Sequence, residues 1–223
     1  AKIVAHCFEN RDGADQLAQL INERGVTSVA VQADLGSPEE VDELFNKLEQ
    51  EQCLPDIVVN NAARQPVQTF DGMTFSDWDE MFAANLDSAF LVTQKAAQAM
   101  RNAKLAGAIV NIASIEGSDP AMAHGHYSAT KAGLLMLTRA CALEFGALAI
   151  RVNSVSPGLI WREGLERDWP EGVERWHSRA PLSRLGTAED VADAVLFLVS
   201  PAARWISGAN LVVDGGMSAQ SRW

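Results

Sequence analysis

Tyr127-Ser128-Ala129-Thr130-Lys131 places a phenol and an ammonium at positions i and i+4. On a helix the two side chains share one face. A lysine charge beside a phenol favours phenolate and lowers the tyrosine pKa toward neutrality, which suits proton exchange with an alcohol or carbonyl oxygen. The spacing alone is common, and an ordinary surface helix with a half-buried ring would show it too, so its flanks decide what it means. Upstream, residues 108–113 form a short apolar run that closes at Ser114, thirteen residues before Tyr127. Downstream, a helical pattern reaches residue 145, and a second short run, residues 150–155, leads to Pro157-Gly158. The sequence around the pentapeptide thus reads strand, helix, strand.

The same alternation extends over the whole chain. Strands are expected at residues 2–8, 28–33, 56–59 and 209–213, and helices at 12–23, 37–51, 76–103 and 187–199. Ser37-Pro38-Glu39-Glu40 opens one helix with serine at the N-cap, proline at N1 and glutamate at N3, a capping box. The helix at 12–23 is carried by Leu17, Leu20 and Ile21 and stopped by Gly25. Short strands alternating with helices imply an α/β fold: a doubly wound parallel sheet covered by helices on both faces, in three layers. Ligands in such sheets bind beyond the carboxyl ends of the strands. Asn60-Asn61, Ser114 and Pro157-Gly158 all stand at such ends.

Bulk properties narrow the partners. The 223 residues carry no linker, repeat or low-complexity tract, so one domain spanning 1–223 is expected, and 48% hydrophobic residues suffice for its core. A net charge of −11 argues against nucleic acid and anionic membrane surfaces. No apolar run is long enough to span a bilayer. Cys7, Cys53 and Cys141, odd in number and far apart, read as free thiols of a reducing cytoplasmic protein. His124 and His126 flank one glycine but have no further ligand at metal spacing, so they read as ordinary loop histidines and no metal is expected.

Asn60-Asn61-Ala62-Ala63, Ile112-Ala113-Ser114, Tyr127 with Lys131, and Asn153-Ser154-Val155-Ser156-Pro157-Gly158 follow one another at successive strand ends. In this combination the chain resembles the short-chain dehydrogenase/reductase family over essentially its whole length. The likeness continues through Pro181-Leu182-Ser183-Arg184-Leu185-Gly186, Glu189-Asp190-Val191-Ala192, Ile206-Ser207-Gly208 and Val213-Asp214-Gly215-Gly216. The resemblance implies an NAD(P)-dependent oxidoreductase that interconverts a secondary alcohol and a ketone. Tyr127 would be the general acid/base. Lys131 would lower its pKa and hydrogen-bond the nicotinamide ribose. Ser114 would hold the substrate oxygen, and Asn85 would support a water-mediated proton relay to the lysine. Asp34 and Leu35 would lie near the adenine, Asn61 and Ala62 along the adenine ribose, and Pro157, Gly158 and Ile160 beside the nicotinamide. The family's habit of pairing long helices implies a homo-oligomer, a dimer or homotetramer, through residues 76–103 and 127–145.

The resemblance breaks at one place. The family's TGxxxGxG turn, which cradles the cofactor diphosphate at a helix N-terminus, has no counterpart here, and residues 2–8 match the family's second strand. The first strand, its turn and its helix are therefore expected to be absent, leaving ladder edges open in mid-sheet. Three readings stay open: an additional N-terminal segment in the natural protein, a truncated variant that has lost tight dinucleotide binding and serves as a non-catalytic scaffold, or replacement of the strand by a partner chain. The cofactor-selecting stretch, His6-Cys7-Phe8-Glu9-Asn10-Arg11, has Cys7 where an acidic residue would select NAD. Glu9 points toward NAD and Arg11 toward NADP, and the vacant acidic position favours NADP(H) over NAD(H). Residues 159–182 are expected to form an irregular lid. Trp161, Trp169 and Trp176 alternate there with Arg162, Arg167, Arg175 and Arg179, and Arg184 follows. They read either as contacts for a planar or anionic substrate or, slightly favoured, as an amphipathic helix packed on the body. The lid also resembles that of the pteridine reductases, an alternative that Ser114 disfavours because some members carry aspartate there.

Overall fold

Capped helices and β-rich segments alternate throughout residues 2–220, the part of the chain that the structure, a computed structural model, describes. The order is β1 (Lys2–Cys7), α1 (Arg11–Glu23), β2 (Thr27–Gln32), α2 (Pro38–Gln50), β3 (Ile57–Asn60), α3 (Phe75–Phe82), α4 (Ser88–Ala103), β4 (Gly107–Ile112), α5 (Gly125–Phe145), β5 (Ile150–Pro157), α6 (Leu165–Asp168), α7 (Pro170–Arg179), α8 (Ala188–Val199) and β6 (Asn210–Val213). All strand pairs are parallel, as the alternation requires. The elements give the expected Rossmann-like α/β architecture.

The strands form two sheets. One pairs β1 with β2, and the other runs β3-β4-β5-β6. Between β1 and β3 there is no ladder, so each carries an edge without a partner among the described residues. This is the expected mid-sheet opening, and its mark on the surface is apolar. Ile57 and Val59 of β3 are exposed while Val58 between them is buried. Because side chains alternate along a strand, the two share the face opposite Val58. Leu17 and Leu20 of α1 are exposed as well, and the helix buries Ala14 and Ala18 instead. The leucines that carried the helical spacing in the sequence therefore do not contribute to the core.

One core joins α2, which follows β2, to the second sheet. Val41 and Phe45 of α2 pack with Val58, Val92 and Ala96 of β3 and α4, and with Ile109, Val152 and Cys141 beyond them. Burying such side chains contributes roughly 1.5–3 kcal/mol each, which exceeds the ~1 kcal/mol of a helix cap. Packing therefore secures α2, and its cap sets where it starts. Ser37 does accept a hydrogen bond from the Glu40 amide, at 3.2 Å, but the box is not reciprocal. The Glu40 carboxylate accepts instead from the Asp34 amide, at 2.7 Å. On the other face, Val110, Val155 and Leu198 join β4 and β5 to α8. The two central strands are thus buried on both sides.

Candidate active site

The β4–α5 connection is braced at three points. Ser114 caps a short helical turn over Ile115–Gly117 and accepts a hydrogen bond from the Glu116 amide, at 3.1 Å. Gly117 lies so close to the Lys131 backbone that a Cβ there would stand 3.0 Å from its carbonyl. Glu116 itself reaches across to α5, accepting from His124 Nδ1 at 3.0 Å and from Ser128 Oγ at 3.4 Å. Ser114, Tyr127 and Lys131 are brought together in this way, all buried, at the carboxyl end of β4.

Their electrostatics differ from the sequence expectation. Tyr127 is pushed up to about 12, chiefly by burial; a hydrogen bond with the Ser114 side chain pulls it down, and the Glu116 charge pushes it up. Burial pulls Lys131 down to about 8. The lysine Nζ donates to the Ile112 carbonyl at 2.8 Å and stands 5.5 Å from the centre of the tyrosine ring. In this arrangement desolvation outweighs the lysine charge, so the phenol stays protonated at neutral pH rather than being poised as phenolate.

Asn85 reaches α5 from another helix, and the expected single helix over residues 76–103 is broken around it. Residues Ala83–Asp87 form a π-helical turn between α3 and α4, a geometry often found at functional sites. The buried Asn85 side chain holds the Arg64 backbone from both sides, accepting from its amide at 2.7 Å and donating to its carbonyl at 2.8 Å. Asn85 thereby anchors the loop that follows β3, and Asn61 and Ala62 lie exposed in that loop. Its side chain also donates to Thr130 Oγ1 at 3.4 Å, one residue from Lys131.

Sequence reasoning missed the polar chain beneath the site. Asn60 donates to Asn111 at 2.8 Å and to Thr93 at 3.0 Å, and Asn111 donates to Thr138 at 2.9 Å. A buried asparagine in mid-strand was the available signal, since such a group must find partners. The histidines also diverge from their expected loop placement. His124 is the N-cap residue of α5 and bonds Glu116, whereas His126 lies inside the first turn, fully buried. Burial pulls the His126 pKa down, and it makes no hydrogen bond.

The remaining expected residues line the carboxyl edge on either side. Asp34 accepts from the Gly36 amide at 2.8 Å, and Gly36 lies against the Ala83 carbonyl, so the loop after β2 abuts the π-turn. Leu35 packs on the core. Pro157 ends β5, and the Gly158 amide donates to Val213 at 3.0 Å. Ile160 pairs with Gly186 in an isolated bridge. The lid is more ordered than expected, with α6 and α7 held by Leu165, Val173 and Leu185. Its arginines other than Arg179, and the following Arg184, are engaged within the protein: Arg162 and Arg167 pair with Asp168, Arg184 pairs with Asp190, and Arg175 lies over the Trp169 ring. Trp176 packs on Gly158, where a Cβ would come within 2.5 Å of its ring. Trp176 thus packs on the body as the second reading expected, whereas Trp161 and Trp169 are exposed.

The expected cofactor residues fall at two places along the carboxyl edge of the strands, and no phosphate cradle is described between them. The two sheets, β1-β2 and β3-β4-β5-β6, share no ladder. The loops bearing Asp34, Asn61 and Ala62 lie at one of the two places, and Ser114, Tyr127 and Pro157-Gly158 at the other, along the carboxyl edge of β4 and β5. No glycine-rich turn stands between them among the described residues. Arg11, the pointer toward NADP, is paired with Asp15 at 2.9 Å. No cluster of three or more potential metal ligands occurs among the described residues, and no helix there is long and apolar enough to cross a membrane.

Comparison with known proteins agrees with this geometry. The family model described as enoyl-(acyl carrier protein) reductase matches residues 1–218. L-rhamnose 1-dehydrogenase (NAD(P)(+)) of Azotobacter vinelandii is 37% identical over 211 residues, 94% of this chain and 82% of that protein. A 3-oxoacyl-(acyl-carrier-protein) reductase of Pseudomonas aeruginosa is 35% identical over 216 residues, 96% of this chain and 87% of that protein. Among solved structures, gluconate 5-dehydrogenase from Burkholderia cenocepacia in complex with NADP and tartrate superposes with a TM-score of 0.92 at 28% identity, covering 99% of this chain and 87% of that one.

Proposed function

Because the chain belongs to the short-chain dehydrogenase/reductase family and is an oxidoreductase of that family, we propose that it interconverts a secondary alcohol and a ketone, with Tyr127 moving the proton. The observation that carries this reading is the convergence of Ser114, Tyr127 and Lys131 at the carboxyl end of β4. NAD(P)(H), when bound, supplies or accepts the hydride. Asp34 and Leu35 would meet the adenine, and Asn61 and Ala62 its ribose. Lys131 would meet the nicotinamide ribose, and Pro157, Gly158 and Ile160 the nicotinamide. The vacant acidic position at Cys7 keeps NADP(H) as the favoured form, which requires Arg11 to leave Asp15.

Ser114 would hold the reacting oxygen, and Tyr127 would give its proton to that oxygen during reduction or take one during oxidation. A protonated Tyr127 at neutral pH is ready to act as the acid. Asn85 would act by fixing the loop after β3. Exposed Phe90 on α4, and Met136 and Leu143 on α5, support association through those helices.

Tyr127→Phe removes the proton donor and keeps the ring. Its kcat is expected to fall by about 10²–10⁴-fold, the usual worth of a positioned acid or base. Steady-state turnover with NADPH and a ketone, alongside circular dichroism to confirm folding, measures this. Turnover within a few-fold of wild type in a folded variant would refute the assignment.

A further inference from the structure

The entry to α5 carries two local costs that the proton chemistry does not explain. Ala123, in the turn that leads into the helix, has a φ of +60°, a left-handed conformation that is unfavourable for a residue with a Cβ. Three residues on, His126 is fully buried, and neither ring nitrogen has a hydrogen-bond partner among the described residues. A buried polar group without a partner is destabilising. Both costs fall within four residues of Tyr127.

The loop after β3 holds them in place. The Gln68 amide donates to the Ala123 carbonyl at 2.7 Å, and the Phe70 ring lies on Gly125, leaving no room for a Cβ there. The Gln68 side chain also reaches α3, donating to Asp77 at 2.9 Å. On α5, His126 and Thr130 are four residues apart and share one face. Thr130 meets Asn85 of the π-turn on that face. His126 is thus enclosed where α3, the loop after β3 and α5 come together.

A proton works against this enclosure. Burial disfavours the imidazolium, His124 adds to the effect, and Asp77 of α3 opposes it. The Asp77 carboxylate is already taken up by the Thr74 amide and hydroxyl and by Gln68. Of the other charged groups on these elements, Glu116 is bonded to His124, and Arg64 is paired with Glu80 at the surface. The ring therefore takes a proton most readily when the loop lifts and water reaches it. Below the ordinary histidine value of 6.5, each opening then binds a proton, and opening grows more favourable as pH falls.

We propose that His126 is an acid-sensitive latch: neutral, it closes the first turn of α5 under the loop after β3 and keeps Tyr127 beside Ser114; protonated, it releases that loop and that turn together. The latch itself rests on the fold, and only its effect on turnover rests on the function proposed above.

Amide exchange of the full chain, followed by mass spectrometry from about pH 7.5 to 5 and corrected for its intrinsic pH dependence, tests this in wild type, His126→Leu and His126→Asn. In wild type the opening constant over residues 64–74 and 119–130 is expected to rise by up to about tenfold for each pH unit below 6.5, the slope of one proton bound on opening. Peptides of β4 and β5 are expected to keep theirs. His126→Leu puts an apolar side chain of similar volume in place of the ring, and His126→Asn keeps polarity without a titrating proton, so each is expected to lose the slope. A flat course in wild type, an undiminished slope in the variants, or a slope shared equally by β4 and β5 would each overturn the proposal. In ketone reduction with NADPH, the acid limb of kcat/KM is expected to weaken in both variants, and a limb unmoved in both would overturn the link to Tyr127. Wild type that turned over no ketone at any pH would refute the proposed function instead, and the exchange slopes would still decide the latch.

Discussion

Lys131 is an ammonium held among buried groups that donates to the Ile112 carbonyl, and stability should record this. Burial lowers it from 10.5 to about 8 in the folded protein. Between those values the unfolded chain holds a proton that the folded chain has released, so stability rises with pH across that window. Tyr127 acts in the opposite sense. Its pKa goes up from 10.0 to about 12, the folded chain keeps a proton that the unfolded chain loses, and stability falls over that interval. Urea unfolding of wild type and Lys131→Met at a series of pH values should therefore show the rise from pH 8 toward 10.5 in wild type and a flatter course in the variant. The identities of Tyr127, Lys131 and Ser114 were legible in the sequence because their spacing and strand-end positions are local. Their protonation was not, because desolvation depends on what α5 packs against, and that is settled by residues far away in the chain.

At the scale of elements, the lid and the nicotinamide border meet at Gly158. A methyl group there collides with the Trp176 ring and the Asp214 Cβ, and Trp176 is held in place by donating to the Arg184 carbonyl at 3.1 Å. Gly158→Ala is expected to displace α7 and cost about 1–3 kcal/mol by overpacking. Thermal unfolding measures the loss, and a shift in tryptophan emission reports the displaced ring. Elements with local start signals were read close to their true limits. Thr187 caps α8 with a reciprocal box to Asp190, where a helix start was expected. The π-turn around Asn85 carries no such signal, and the contact that Asn85 makes there, with the Arg64 backbone, is distant in sequence. An amphipathic helix was one of the two readings open for the lid, but the limits of α6 and α7 were not readable, since the residues that hold them, Leu165, Val173 and Leu185 with Leu159 and Trp176, meet only in three dimensions.

At the scale of the molecule, the alternation of short strands and helices was enough to read the architecture, and the position of the open ladder edges followed from the resemblance. How α2 is fixed to the second sheet was not readable, because it depends on Val41 and Phe45 packing with Val58, Val92 and Ala96 from distant parts of the chain. Amide exchange should separate the two parts: protons of β1 and β2, two strands with exposed neighbours, should exchange well before those of β4 and β5, which are buried on both faces. Mass-spectrometric exchange with peptide resolution checks this, and uniform protection would contradict it. A further consequence concerns cooperativity. With no ladder between β1 and β3, heat can melt the two sheets as separate calorimetric units, giving a van't Hoff enthalpy smaller than the measured one. A dinucleotide that touches the loops of both sheets would act as a stitch across the seam, and its binding would appear as two thermal transitions fusing into one.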